Sequence, residues 1–180
     1  MKLLIASDIH GSAYFCEKLT DAVKKENPDK ILLLGDILYH GARNDLPSAY
    51  APKKVIELLE GISDKIICVR GNCDSEVDEL VLPFTLLAPG AFILAGDISL
   101  FATHGHIFNA DNMPKGACFD VFVSGHTHIP LCERKNGVVF MNPGSVSIPK
   151  EGSLHSYMTF ENGIFKWKTL DGEEYKTFAL

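Results

Sequence analysis

The amino-acid sequence predicts an α/β fold of two mixed sheets packed face to face, with helices outside. Two patterns carry that expectation. In the first half, short runs that are apolar at nearly every position alternate with stretches of helical spacing, the signature of parallel strands buried on both faces. In the second half, turn signals at Gly96-Asp97, Asn136-Gly137 and Asn162-Gly163 separate pairs of short strands. The change of style near residue 85 marks a second sheet of the same unit. The 180 residues are therefore expected to form one domain, 1–180, with a sizeable core.

The first run, Leu3-Leu4-Ile5-Ala6, stops at Ser7-Asp8-Ile9-His10-Gly11. Residues two apart in an extended segment point the same way, so Asp8 and His10 are expected to aim at one point. That point lies beyond the carboxyl end of a strand, where α/β folds place their ligands. Phe15, Leu19, Ala22 and Val23 then predict a helix to about Glu26, stopped by Asn27-Pro28-Asp29. Ile31–Leu34 is a second buried strand, ended by Gly35-Asp36, and a loop rich in Pro, Gly and Asn runs from Tyr39 to Pro52. Val55, Ile56, Leu58, Leu59 and Ile62 predict the next helix. Ile66–Val69 is a third strand, running into Arg70-Gly71-Asn72-Cys73-Asp74. Ser75 followed by Asp78 reads as a capping box opening a short helix.

Beyond that point the strands come in pairs. Ala91–Leu94 is followed by Ile98–Ala102, which runs into Thr103-His104-Gly105-His106. Val121–Val123 runs into Ser124-Gly125-His126-Thr127-His128. Leu131–Arg134 pairs with Val138–Met141, and Tyr157–Phe160 with Ile164–Trp167. These hairpins predict a mostly antiparallel second sheet.

Composition narrows the function. Hydrophobic residues are 46% and charged residues 22%, as in ordinary globular proteins, and no stretch of about 18 apolar residues could span a membrane. The chain begins directly in a strand, so no secretory signal is expected. Five scattered cysteines without a Cys-x-x-Cys pair predict free thiols and a cytoplasmic location. A net charge of −6 with no cluster of Lys and Arg argues against a sequence-independent grip on nucleic acid.

Five polar clusters share one syntax: an apolar strand stops and Asp, Asn or His follows at once. They are Asp8/His10, Asp36, Asn72, His104/His106 and His126/His128. Carboxylate and amide oxygens with imidazole nitrogens suit Mn²⁺, Fe²⁺ or Zn²⁺, whereas structural zinc favours thiolates. Seven candidate ligands (Asp8, His10, Asp36, Asn72, His104, His126 and His128) exceed the usual coordination of one ion. Two ions sharing a carboxylate, about 3.5–4 Å apart, would use them all. Asp36, on a central strand, is the natural bridge.

In this order and spacing, Asp8-x-His10, Gly35-Asp36, Gly71-Asn72-Cys73-Asp74, His104-Gly-His106 and Gly125-His126-x-His128 resemble the calcineurin-like metallophosphoesterases. The likeness extends from residue 3 to about residue 150 and includes Asn142-Pro143-Gly144-Ser145. Within the family it is strongest to the small bacterial YfcE-like phosphodiesterases. The resemblance implies a four-layer α/β/β/α sandwich and two divalent ions, with Mn²⁺ first and Zn²⁺ or Fe²⁺ next. It implies one ion on Asp8, His10, Asp36 and His128, and the other on Asp36, Asn72, His104 and His126. It further implies in-line attack on a small-molecule phosphodiester by a metal-bridging hydroxide. Asp36, Asn72 and His104 would then serve catalysis directly. His106 is left over, with a place near a ligand or the substrate, and Arg43 is offered to a non-bridging oxygen. The chain departs from the family at Tyr39-His40, where many members carry a further Asp, and at Cys73, where the usual residue is histidine. Neither change removes a metal ligand. The second removes an imidazole that in the family approaches the phosphate and leaving group.

Two other readings compete. A retromer subunit of similar fold is a non-catalytic scaffold, but it lacks a complete ligand set, and no ligand position is missing here. A metallo-β-lactamase-like hydrolase would need a His-x-His-x-Asp-His run, whereas His128 is followed by Ile129-Pro130. Exposed hairpin edges allow pairing between chains into a homo-oligomer.

Overall fold

Alternation within the strands decides the layering. In a computed structural model, which describes residues 1–86 and 88–180, the strands β1 (Leu3–Ala6), β2 (Lys30–Leu33) and β3 (Ile66–Cys68) run parallel. Leu4, Ala6, Ile31 and Leu33 face one way and meet the helices α1 (Ala13–Glu26) and α2 (Pro52–Glu60) through Leu19, Val23, Val55 and Leu59. Leu3, Ile5, Leu32 and Leu34 face the other way, into a second core. Every position of β1 and all of β2 but Lys30 are buried, while in β3 Cys68 is buried and Ile66 and Ile67 are partly so, which is why the runs read as apolar.

Local chemistry fixes the helix ends. The Ser12 hydroxyl accepts from the Phe15 N–H at 3.4 Å and caps α1 at its start. Asn27 ends α1 with a left-handed backbone, φ 45°, as its N–H donates to the Val23 carbonyl. Pro52 opens α2 in its first turn, where a missing N–H costs nothing. The short helix α3 (Glu76–Val81) carries the expected capping box: Ser75 accepts from the Asp78 N–H, and the Asp78 carboxylate accepts from the Ser75 N–H.

The second sheet holds β4 (Gly90–Ala95), β5 (Ile98–Thr103), β6 (Val121–Val123), β7 (Leu131–Lys135) and β8 (Val138–Asn142), in the order β4-β5-β6-β8-β7. Its inner face, with Leu100, Ala102, Val121, Val123, Val139 and Met141, packs on Leu3, Ile5, Leu32 and Leu34. The expectation of a mostly antiparallel sheet is corrected here. The hairpins β4–β5 and β7–β8 are antiparallel, but β5, β6 and β8 lie parallel at the centre. On the outer face Phe101 stacks on Phe119 at 5.4 Å and meets Phe108 edge-on at 5.6 Å. The layer outside this sheet is therefore the segment 104–120, which forms no helix.

A further correction concerns the third hairpin. Strands β9 (Ser156–Glu161) and β10 (Ile164–Thr169) do not extend the second sheet. They return to the first, where β9 lies antiparallel to β1 with Leu3 opposite Phe160. The physical reason is the free edge of β1, whose buried N–H and C=O groups on that side need a paired strand. Strand β11 (Glu174–Ala179) completes the six-stranded order β11-β10-β9-β1-β2-β3. Among the described residues no helix is long and apolar enough to cross a membrane.

Candidate active site

The parallel strands of both sheets deliver their carboxyl ends to one edge of the sandwich. Asp8 and His10 follow β1, Asp36 follows β2, Asn72 follows β3, His104 and His106 follow β5, and His126 and His128 follow β6. Each polar cluster expected at a strand end is thus where the topology brings strand ends together. The backbone that aims them is not the extended chain the spacing suggested. Asp8, His10, Asp36, His126 and His128 all have positive φ, between 49° and 67°. Non-glycine residues seldom adopt this region, and such strain gathers at functional sites, held there by the surroundings.

The surroundings are visible. The His10 N–H donates to the Asp36 carbonyl at 2.9 Å and the Gly11 N–H to the Ile37 carbonyl at 2.9 Å, so the two ligand loops brace each other. Ser145 and Ser147 donate through their hydroxyls to the Asp8 carbonyl at 2.9 and 3.1 Å. Asn142 donates to the Gly125 carbonyl at 2.7 Å and to the Thr127 hydroxyl at 3.1 Å, fixing the histidine loop after β6. The Asp74 carboxylate accepts from the N–H groups of Asp36, Ile37 and Gly71 at 2.7–2.9 Å. Two glycines are required by proximity alone. A Cβ at Gly71 would collide with Asp36, and one at Gly125 would collide with Ser7.

The donor atoms converge without satisfying one another. His10, His104 and His128 each hold Nδ1 against a backbone carbonyl, of Tyr39, Leu34 and Ile148, at 2.7–2.8 Å. Those carbonyls can only accept, so Nδ1 carries the proton and a neutral ring presents a bare Nε2 lone pair inward. His10 Nε2 and His128 Nε2 then face each other at 3.2 Å. Near them, the buried Asp8 Oδ1 has no hydrogen-bond partner, although His128 Nε2 lies 3.2 Å away. On the other side His104 Nε2 lies 3.1 Å from Asn72 Oδ1, 3.2 Å from His126 Nδ1 and 3.4 Å from Asp36 Oδ2. Facing lone pairs repel unless a proton or a cation lies between them. Asp8, His10 and His128 form one set able to hold a metal ion, Asp8, Asp36 and His104 another, and His10, Asp36 and Cys73 a third. Asp36 Oδ2 approaches a ring on each side, 3.7 Å from His10 Nε2 and 3.4 Å from His104 Nε2. The donor chemistry and the crowding fit divalent cations.

The buried carboxylates and imidazoles shift one another. Burial raises the Asp8 carboxyl, but His10 and His128 outweigh it and hold it well below the usual range. Burial lowers His104, yet the hydrogen bond to Asp36 and the charge of Asp8 bring it up to about 9. His126 and His106 are pushed down, first by burial and then by the neighbouring His104. Burial, followed by the Asp36 carboxylate, pushes the Cys73 thiol up to about 12, so it is neutral. Its sulfur lies 3.1 Å from Asn72 Nδ2, within reach as an acceptor.

A pocket of about 600 Å³ opens over these groups, lined by Asp36, Asn72, Cys73, His126 and His128, with Arg43, Arg70 and Lys150 at its border. Arg43 is exposed and has no ion-pair partner among the described residues, which suits the expected contact with an anion. His106 is not among the side chains lining this pocket; its half-buried ring lies 5.3 Å from that of His104 and 6.2 Å from that of His126. The residues not anticipated are Lys150 and the bracing set Asp74, Asn142, Ser145 and Ser147. The Asn142-Pro143-Gly144-Ser145 motif signalled Asn142 and Ser145, and Gly71-Asn72-Cys73-Asp74 signalled Asp74.

Comparison with known proteins agrees. Residues 1–162 match the model of the calcineurin-like phosphoesterase superfamily domain. The chain is 46% identical to phosphodiesterase YfcE of Escherichia coli K12 over 164 residues, covering 91% of this chain and 89% of that protein. It superposes on the solved structure of that E. coli phosphoesterase with a TM-score of 0.94, at 43% identity and 99% coverage of both chains. Vps29 of Chaetomium thermophilum shares the fold alone, with a TM-score of 0.66 at 16% identity over 99% of this chain and 96% of that one. With strand-end Asp, Asn and His residues converging as they do, the chain belongs to the calcineurin-like phosphoesterase superfamily.

Proposed function

We propose that residues 1–180 act as one domain that hydrolyses small-molecule phosphodiesters with two divalent ions, Mn²⁺ by preference. The class, phosphoric diester hydrolase, follows from membership of the family and from the identity to a phosphodiesterase over most of the chain. The observation that supports the two-ion reading is the crowding of donors into overlapping sets, with Asp36 Oδ2 near His10 Nε2 on one side and His104 Nε2 on the other. One ion would be held by Asp8, His10, Asp36 and His128, the other by Asp36, Asn72, His104 and His126. Bound there, the ions would supply Lewis-acid charge and a water acidic enough to attack at neutral pH. The chain's own groups do the rest. Asp36 holds the centre in register through its carboxylate. Arg43 meets a non-bridging oxygen of the phosphate, and the oxygen and nitrogen donors suit Mn²⁺, with Zn²⁺ or Fe²⁺ next. His106 stands beside the donors, its ring 5.3 Å from that of His104 and 6.2 Å from that of His126, within reach of a ligand or the substrate. The five cysteines are all free, which supports a cytoplasmic setting.

Asp36→Asn tests this reading. The amide keeps the shape but removes the charge that two cations would share. We expect the variant to lose at least one metal equivalent by elemental analysis and to lose nearly all hydrolysis of an aryl phosphodiester, with its circular dichroism unchanged. An active variant with full metal content would refute the shared-carboxylate arrangement.

A further inference from the structure

Beside the polar pocket lies a groove of about 460 Å³, walled by Tyr39 and Tyr50 on one side, Ile56 of α2, and Val77 and Val81 of α3. The two cavities share Tyr39, Cys73 and Ser75, so the groove is a direct extension of the site and not a separate surface feature. Their chemistry differs sharply. The pocket gathers Arg43, Arg70 and Lys150 around the metal donors. The groove contains one base, Lys53, and one acid, Asp78, whose carboxylate already accepts from the Ser75 N–H at 2.8 Å. Its walls leave apolar side chains in water: Val77 is 66% exposed, Val81 46% and Tyr39 43%. Apolar groups left uncovered at the rim of an active site are suited to being covered by substrate.

We propose that this groove takes one ester substituent of the phosphodiester, and that the substituent is an uncharged apolar group, alkyl or aryl. The inference rests on the phosphodiesterase reading and narrows it to a substrate class. The anionic phosphorus centre stays with the metals and Arg43. One organic arm passes Cys73 into the groove between the tyrosines and α3. A substrate charged on both arms, such as a dinucleotide, would leave these side chains uncovered.

Binding of symmetric dialkyl phosphates to the Mn²⁺-loaded protein tests this without requiring turnover, since either arm can enter. By titration calorimetry, dibutyl phosphate is expected to bind about tenfold more tightly than dimethyl phosphate, the gain from three further methylenes half removed from water. Val77→Asp puts a carboxylate into the groove wall at an exposed position in the first turn of α3, where a negative charge favours the helix. In that variant the ratio of the two affinities should fall below about threefold. Equal affinities in the native protein, no binding of either ester, or the same ratio in Val77→Asp would overturn the proposal. So would a native dimer that Val77→Asp converts to a monomer in sedimentation, because a second copy would then occupy the groove. Separately, an absent hydrolysis of bis(p-nitrophenyl) phosphate with the tenfold preference intact would sink the phosphodiesterase reading and leave the groove as a binding site for apolar phosphodiesters.

Discussion

At Cys73 a thiol stands in the chemistry where the family usually places an imidazole. Burial and the Asp36 carboxylate push that thiol up to about 12, so it brings no positive charge to the phosphate at neutral pH. A histidine there could carry one, having an unperturbed pKa of about 6.5. A monoester approaches two negative charges at neutral pH, whereas a diester has one. The native protein should therefore cleave an aryl diester far better than the matched monoester. Cys73→Ala should keep most diester hydrolysis, and Cys73→His should raise the monoester rate relative to the diester. An unchanged ratio of kcat/KM values in a metal-loaded Cys73→His protein would show that this side chain does not set the preference. The histidines permit a second test at the same scale. His128→Ala should weaken the ion beside Asp8 and His10, and His126→Ala the ion beside Asn72. Anomalous scattering from Mn²⁺-soaked crystals would show which peak fades in each; loss of the same peak in both would disprove the division of ligands. Most of these side chains were legible in the sequence because each follows an apolar strand at once. Their left-handed backbone was not, because Asp and His do not signal positive φ as glycine does.

Elements were readable as far as their own patterns reached. Strands β1 to β3, α1 and the α3 capping box follow from local periodicity and caps, and the hairpins follow from their turns. Strand β11 is nearly all charged or exposed, so its alternation carries little hydrophobic contrast. The docking of β9 beside β1 depends on a partner more than 150 residues away, which no local pattern encodes. One contact made by that return is measurable. Glu26, at the end of α1, receives Lys168 of β10 at 2.6 Å, Lys2 at 2.9 Å and the Tyr157 hydroxyl of β9 at 3.1 Å. Burial alone would raise its carboxyl, but the hydrogen bonds from Lys168 and Lys2 bring it from 4.5 down to about 2. The folded value lies below the unfolded one, so the stabilisation is complete above about pH 4.5 and fades as pH falls through about 2. With screening at this partly open site, Glu26→Gln should cost about 1–2 kcal/mol at pH 7. The difference between the two proteins in chemical denaturation should shrink towards zero near pH 2. A difference that stays constant across that range would mean that packing, and not charge, joins α1 to the returning hairpin.

The whole molecule is two parallel trios, β1-β2-β3 and β5-β6-β8, with the donor groups at the carboxyl ends of the first trio and of β5 and β6. Asp8, His10, Asp36 and Asn72 come from one sheet, and His104, His126 and His128 from the other. Each proposed ion would therefore draw ligands from both sheets. Across most of the interface the sheets are held by apolar contact, Leu3 and Ile5 against side chains such as Leu100 and Val121. At the site edge the contact is between polar groups with facing lone pairs, such as His10 and His128 at 3.2 Å. Binding cations there should act as a clasp on the sandwich as well as a catalyst. Because the donors converge only in the folded chain, the linkage is direct: Mn²⁺ at 100 times its dissociation constant should add about 2.7 kcal/mol. For a chain of this size that is a rise in Tm of about 5–10 °C. Calorimetry of the chelator-treated protein, with Mn²⁺ then added back, measures it. Asp36→Asn should show less than half of the rise, since it takes away the carboxylate that approaches both His10 and His104. A Tm that does not respond to Mn²⁺ in the native protein would mean that these buried donors are satisfied by protons alone, and would remove the physical basis for the metal centre.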